Sequence, residues 1–315
     1  MRAIPLFSLL VGGWCVVPAY AGEAQDWLNR LSQAEQQQSF QGTFVYERNG
    51  SFSTHNIWHR VQDGKVRERL LQLDGSAQEV MRIDGKTQCV SGTLIAGLGN
   101  TPDGTARALD PQKLKNWYDL AVIGKSRVAG RQAVIIALTP KDQHRYGFEL
   151  HLDRETGLPL KSLLLSDKGQ LLERFQFTRL NIGEPSDADL QASVECKAVA
   201  QGPGKAAMVK TAWHSDWLPP GFELTSSAAH KDPDTKIQVS SLMYDDGLAR
   251  FSVFLEPLNG ATATDTRTQL GPTAAVSRRL TTPQGEMMVT VVGEIPIGTA
   301  ERIALSMRSD VAAAQ

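Results

Sequence analysis

Residues 143–180 read QHRYGFELHLDRETGLPLKSLLLSDKGQLLERFQFTRL, and their periodicity decides the fold. Phe148, Leu150 and Leu152 alternate with Glu149, His151 and Asp153, the period-2 pattern of a strand with one buried face. Arg154-Glu155-Thr156-Gly157 is a polar turn. Residues 160–165 form a second strand, with Pro159 at its start, where a missing N–H is tolerated. Asp167-Lys168-Gly169 turns the chain again. Residues 171–180 form a third strand, with Phe175 and Phe177 on one face and Arg174, Gln176 and Arg179 near the other. Three long strands joined by tight turns predict an antiparallel meander.

The same signature extends towards the N-terminus. Residues 40–49, 52–61, 65–73, 78–83 and 86–91 are strand candidates separated by Asn49-Gly50, Asp63-Gly64, Asp74-Gly75 and Asp84-Gly85. Residues 22–39 carry Ala24, Trp27, Leu28, Leu31 and Ala34 at helical spacing and predict a helix laid on the sheet. Asp110-Pro111 pairs an N-cap residue with proline at the first helical position. Residues 120–128 and 132–139 form a hairpin through Ala129-Gly130. Residues 92–109, rich in small residues, interrupt the pattern as a flap or a plain surface loop. Residues 184–191 are helical or irregular.

The chain of 315 residues has room for two domains. Residues 198–212, with Gly202-Pro203-Gly204, form a linker between residues 22–197 and a second domain at 213–308. In that domain residues 222–227, 237–244, 248–256, 274–280 and 286–294 are strand candidates, Asp245-Asp246-Gly247 and Pro283-Gln284-Gly285 are turns, and residues 296–308 form a closing helix. Residues 309–315 are a tail. The fold class is α+β, mainly antiparallel β.

The first residues carry an address rather than a fold. Arg2 precedes an apolar run too short to span a bilayer, and Ala19-Tyr20-Ala21 presents small residues at a signal-peptidase site. Residues 1–21 are therefore expected to be removed after Ala21 and the protein exported. Trp14 before Cys15 argues against lipidation. Cleavage removes one basic residue, Arg2, and no acid, so the net charge moves from −1 to −2. A charge so near zero argues against a nucleic-acid partner. The two remaining cysteines, Cys89 and Cys196, are either a disulfide of an oxidising compartment or two buried thiols.

No catalytic constellation emerges: there is no phosphate-binding glycine loop, HExxH or GxSxG. His55 and His59 share a strand face, and His144 and His151 flank a strand start; all four read as surface histidines. Asp245-Asp246-Gly247 lacks the further ligands of a calcium loop and reads as a hairpin turn. Glu149, Asp153 and Glu155 are strand and turn acids. No metal or cofactor is expected. A long sheet with two helices to cover it instead leaves apolar surface. Phe44, Tyr46, Trp58, Leu70, Phe148, Leu150, Phe175 and Phe177 line either a cavity or an ordinary core.

Several segments together point further. QGTFVYERNGSFSTHNIWHRV, RERLLQLDG, HRYGFELHLDRETGLPLKSLLL and LLERFQF resemble the first domain of the RseB/MucB family of periplasmic regulators. WLPPGF, YDDGLARFSVFLEP and MVTVVGEIP resemble its second domain. The likeness covers essentially the whole mature chain and leans to the pseudomonad branch, associated with alginate and mucoidy. It implies a half-open barrel with a helical plug, similar to LolA and LolB, followed by a smaller α+β domain. It also implies a negative regulator of envelope stress. Such a protein binds the periplasmic part of a membrane-anchored anti-sigma factor of the RseA/MucA type and shields it from proteolysis. Lipid-bearing signals such as lipopolysaccharide release it.

On that footing Trp217, Leu218 and Phe222, apolar residues where the linker meets the second domain, are the expected partner-binding residues. The competing readings are a carrier of acylated molecules, for which the first domain alone would suffice, and an unrecognised hydrolase. A homo-oligomer is compatible with all three.

Overall fold

The alternating segments assemble into one eleven-stranded antiparallel sheet. Its strands are β1 (Phe40–Arg48), β2 (Ser51–Gln62), β3 (Lys65–Gln72), β4 (Glu79–Ile83), β5 (Lys86–Val90), β6 (Tyr118–Val128), β7 (Arg131–Pro140), β8 (Gly147–Asp153), β9 (Pro159–Leu165), β10 (Leu171–Ile182) and the short β11 (Lys197–Ala198). The spatial order is β11-β5-β4-β3-β2-β1-β10-β9-β8-β7-β6, so β1 and β10 join two meanders and the ends never pair. The computed structural model describes residues 20–76, 78–91, 109–199, 211–231, 237–260, 262–283 and 285–310. The expected signal segment up to residue 19, the flap at 92–108, the central linker 200–210 and the tail from 311 lie outside the described residues.

Local chemistry sets the turns. At Asn49-Gly50 and Asp63-Gly64 both central residues have positive φ (54° and 72°; 51° and 72°). That conformation suits the twist of a two-residue hairpin and is cheap for Asn, Asp and Gly. Helix α2 (Pro111–Leu114) starts as its sequence requires: the Asp110 carboxylate accepts from the N–H groups of Gln112 and Lys113 at 2.9 and 3.1 Å.

Helix α1 (Tyr20–Gln37) is the plug. Ala24, Leu28 and Leu31 are buried with Leu114, Tyr118, Leu120, Ile136, Leu138, Leu150 and Leu152. One turn on, Ala34 joins Phe40, Phe44, Leu158, Leu160, Phe177 and Leu180. A helix on the concave face of an unclosed sheet is the half-open, plugged barrel that the resemblance implied. The expected cleavage point after Ala21 falls just inside α1.

The second domain is a six-stranded antiparallel sheet in the order β13-β14-β15-β18-β17-β16. These are β13 (Glu223–Lys231), β14 (Gln238–Asp245), β15 (Arg250–Pro257), β16 (Thr266–Leu270), β17 (Thr273–Thr282) and β18 (Gly285–Gly293). Helix α3 (Ile297–Ser306) covers it, burying Ala300, Ile303 and Ala304 against Val276, Val289 and Val291. The closing helix is shorter than expected. Met307 is extended (φ −69°, ψ 136°), and β19 (Met307–Ser309) pairs with β12 (Trp213–Ser215). Strand β16 was not anticipated; all five residues are exposed, so no buried face marks it in the sequence.

Candidate functional site

Three surfaces hold the side chains singled out by sequence. On the concave face of the first sheet, Phe44 and Phe177 are buried and Tyr46, Leu70 and Phe175 are partly covered, in one cluster with Ile57. Phe175 sits 4.7 Å from Phe44 and 5.1 Å from Phe177, ring centre to ring centre. Phe148 and Leu150 belong to the other cluster, beneath α1 and α2. These residues are therefore divided between two packed clusters rather than lining one cavity. Trp58 does not belong with them at all. It alternates with Ile57 and His59, so it faces the opposite side of the sheet, where the Arg69 guanidinium lies 5.0 Å over its ring.

That opposite side is wrapped by a strap, residues 183–196. Pro185 and Asp189 carbonyls accept from Arg60 and Arg69, the latter at 2.9 Å. Glu79, 1% exposed, takes a 2.6 Å hydrogen bond from Arg69 and accepts from the N–H of Ser193. The strap ends in a bond between Cys196 and Cys89, with Sγ atoms 2.04 Å apart, and β11 then pairs with β5. Residues 184–191 are thus irregular, tied down by side chains rather than by helix.

The histidines read as surface residues are not all at the surface. His59 is buried, stacks 4.8 Å from Phe40 and meets the Glu35 carbonyl at 3.0 Å, near the C-terminal end of α1. Glu68, beside it, would be pushed up by burial, but His59 and Arg82 outweigh that and hold it below the usual carboxylate range. His151 is buried between Ser126 and Glu149, 2.7 and 2.8 Å away, and burial holds its ring below the ordinary value. Asp153, on the same strand face, is buried against Arg131 at 2.7 Å. Burial on both faces, with the polar one internally satisfied, is why strict alternation here did not mean solvent.

The third surface is the seam between the domains. Arg145, just before β8, is completely buried. Its guanidinium donates to both oxygens of Asp142 (3.1 and 2.9 Å), to Asp246 (2.5 Å) and to the Pro220 carbonyl (2.6 Å). The rings of Trp117, Tyr118 and Phe222 surround it at 5.8, 5.6 and 5.1 Å. Asp246 is equally buried. Its other oxygen accepts from the N–H groups of Leu248 and Ala249 at 2.8 and 2.7 Å, and burial pushes its carboxyl up against the pull of those donors and Arg145. The turn reading of Asp245-Asp246-Gly247 is therefore incomplete, since Asp246 also joins the two domains.

Further contacts extend the seam. Lys113 reaches Glu223 at 2.8 Å, the Tyr146 hydroxyl donates to the Ile295 carbonyl at 3.2 Å, and His144 meets the Thr299 hydroxyl at 3.1 Å. Arg48, at the end of β1, donates to Glu294 at 3.2 Å and to the Thr273 hydroxyl. Of the expected partner-binding residues, Phe222 is buried in the core of the second domain facing Arg145, Leu218 packs against that core, and Trp217 lies between His144 and the Arg302 guanidinium. All three serve the second domain's core or the seam. Among the described residues no group of three or more His, Cys, Asp or Glu side chains is placed to hold a metal ion.

Comparison with known proteins places this architecture. Residues 23–197 match the family model for the MucB/RseB N-terminal domain, and residues 207–308 match that for the MucB/RseB C-terminal domain. The chain belongs to the MucB/RseB family. Sigma factor AlgU regulatory protein MucB of Pseudomonas aeruginosa is 63% identical over 317 residues, covering 99% of both chains. Sigma-E factor regulatory protein RseB of Escherichia coli K12 is 27% identical over 294 residues, 89% of each. Among solved structures, the P. aeruginosa MucA/MucB complex has 62% identity, covers 92% of this chain and 100% of that one, and superposes with a TM-score of 0.82. A second structure, MucB with MucA(peri), gives 0.81 at the same identity and coverage. A crystal structure described simply as MucB gives 0.68 at 61% identity, covering 91% and 98%.

Proposed function

We propose that this member of the MucB/RseB family is a non-enzymatic periplasmic regulator. It binds the periplasmic part of a membrane-anchored anti-sigma factor of the MucA/RseA type, shields it from regulated proteolysis, and lets go when a lipid-bearing envelope signal arrives. The observation that carries this reading is the match of both domains, at 62% identity over 92% of the chain, to MucB solved together with MucA. An exported chain with a leader ending at Ala21 fits that setting.

The partly covered aromatic and aliphatic side chains Tyr46, Ile57, Leu70 and Phe175 are the proposed landing place for acyl chains. They line a concave face whose neighbours are already apolar, so an acyl chain gains roughly 0.8 kcal/mol per buried methylene there. A ligand shifts the partner equilibrium only by its differential affinity for free and complexed protein. Lipid must therefore compete for surface the partner uses or favour another domain arrangement. Trp217 and Leu218, at the seam and only partly buried, are the proposed margin of the partner surface; Phe222 supports it from within.

The same apolar face favours a second reading, a carrier of acylated molecules. The readings separate in a protection assay: the anti-sigma factor's periplasmic segment is exposed to the site-1 protease with the protein, with and without lipopolysaccharide. Protection that lipid abolishes supports the regulator. Lipid uptake with no protection supports the carrier.

A further inference from the structure

The length of the covalent connection alone does not dictate how the two domains sit. Fourteen residues separate the end of β11 from the start of β12, including Gly202-Pro203-Gly204. Such a segment spans up to about 46–50 Å when extended, far more than contact between adjacent domains requires. Relative motion is the default for domains joined by a polar interface. Among the described residues the direct contacts that orient the domains are those of the seam.

The seam is suited to that task in a particular way. Its centre is a wholly buried ion pair, Arg145–Asp246, and its flank is the Arg48 contact with Glu294 and Thr273. A buried pair adds little net stability over apolar side chains of similar size, because desolvation offsets attraction. Its hydrogen bonds do demand one geometry. The Arg145 fork is committed to acceptors from both domains at once, Asp142 on one side and Asp246 and Pro220 on the other. Rotating one domain against the other takes Asp246 and the Pro220 carbonyl away from the fork and leaves Arg145 with Asp142 alone, so orientations that break the seam are disfavoured. The chain superposes with TM-scores of 0.82 and 0.81 on the two MucA-containing structures and 0.68 on the one described as MucB, at nearly equal identity and coverage.

We infer that Arg145, Asp246 and Arg48 are positioning residues for partner binding: they hold the two domains in the arrangement that receives the anti-sigma segment, without having to touch it. This rests on the proposed regulatory reading. A segment that contacts both domains binds tightly only while their spacing is fixed. Loss of the lock imposes a conformational cost that lowers apparent affinity by the fraction of molecules still in the competent arrangement.

The test uses the full mature protein and the anti-sigma factor's purified periplasmic domain. Affinity is measured by calorimetry, and domain arrangement by small-angle X-ray scattering. Three proteins are compared: wild type, the apolar replacement Arg145→Met/Asp246→Leu, and Arg48→Gln, which sits at the partly exposed margin and keeps the protein folded if the first variant does not. The inference expects tight wild-type binding. It expects at least a tenfold weaker Kd for each folded variant, together with a larger radius of gyration or a broadened distance distribution before partner is added. Wild-type binding with unchanged Kd in a folded variant overturns the inference and leaves the regulatory reading standing. Weaker binding with an unchanged scattering profile also overturns it, because the residues then act by contact. Failure of the wild type to bind overturns both.

Discussion

Arg145 and Asp246, 101 positions apart in the chain, meet at 2.5 Å with neither side chain reaching solvent. Removing Asp246 leaves the buried Arg145 one carboxylate short, with Asp142 and the Pro220 carbonyl as its remaining acceptors. Asp246→Ala is expected to cost up to about 3–5 kcal/mol, whereas Arg145→Met/Asp246→Leu, which removes both charges but also the turn acceptor of Leu248 and Ala249, is expected to cost clearly less. Urea denaturation followed by tryptophan fluorescence checks this. Equal losses in both variants would show that Asp246 acts mainly through its turn, where it accepts from Leu248 and Ala249.

Gly221 has φ +87°, and a Cβ there would lie 2.2 Å from the Trp117 ring. The close approach of the second domain to the turn after α2, where Trp117 lies, depends on this missing carbon. Gly221→Ala combines left-handed strain of roughly 1–3 kcal/mol with a clash. A lowered Tm with altered tryptophan emission is expected. An unchanged Tm would mean that the seam relaxes freely around residue 221.

The bond between Cys89 and Cys196 closes a loop with a sequence separation of 107. Chain entropy alone places its contribution at about 4–5 kcal/mol. The denatured, unreduced mature protein should show no free thiol, and Cys89→Ser/Cys196→Ser should lower the unfolding midpoint. Hydrogen exchange in that variant should rise first in the strap that Arg60 and Arg69 hold. Two titratable thiols in the wild type would remove the bond from this account.

Acid acts on the seam through His144. Burial holds its ring below the ordinary value, Arg302 and Arg145 push the same way, and Asp142 opposes them. The fold therefore favours neutral His144. Its contribution is fully present above the unfolded value near 6.5 and is lost as pH falls from there towards the lower folded value. The sign matches the contact, since protonation adds a cation beside two arginines. NMR titration of the His144 ring should give a midpoint below 6.5 that rises in Arg302→Gln. A midpoint above 6.5 would contradict this assignment.

Much of the fold is legible in the sequence because its signals are local. Asn49-Gly50 and Asp63-Gly64 announce their hairpins, Asp110-Pro111 announces α2, and the 3–4 spacing of Leu28 and Leu31 marks the plug. What could not be read depends on long-range partners. The polar side of β8 looks solvent-facing until Arg131 and Ser126 cover Asp153 and His151. Trp58 looks like a cavity residue until Arg69 is seen over its ring on the opposite side of the sheet. Asp246 in a turn motif gives no sign that Arg145 completes it, because a turn and a domain anchor use the same residue. Only an aspartate, an arginine and a Trp-Leu-Pro-Pro-Gly-Phe segment meeting across the domains reveal the seam, and no spacing rule joins them.

The central claim is tested most directly by titrating the mature protein with the periplasmic domain of its MucA/RseA-type anti-sigma factor, in the absence and presence of lipopolysaccharide. The account predicts a saturable one-site complex that lipopolysaccharide weakens. A chain that takes up the lipid but binds no anti-sigma domain at any attainable concentration would contradict it.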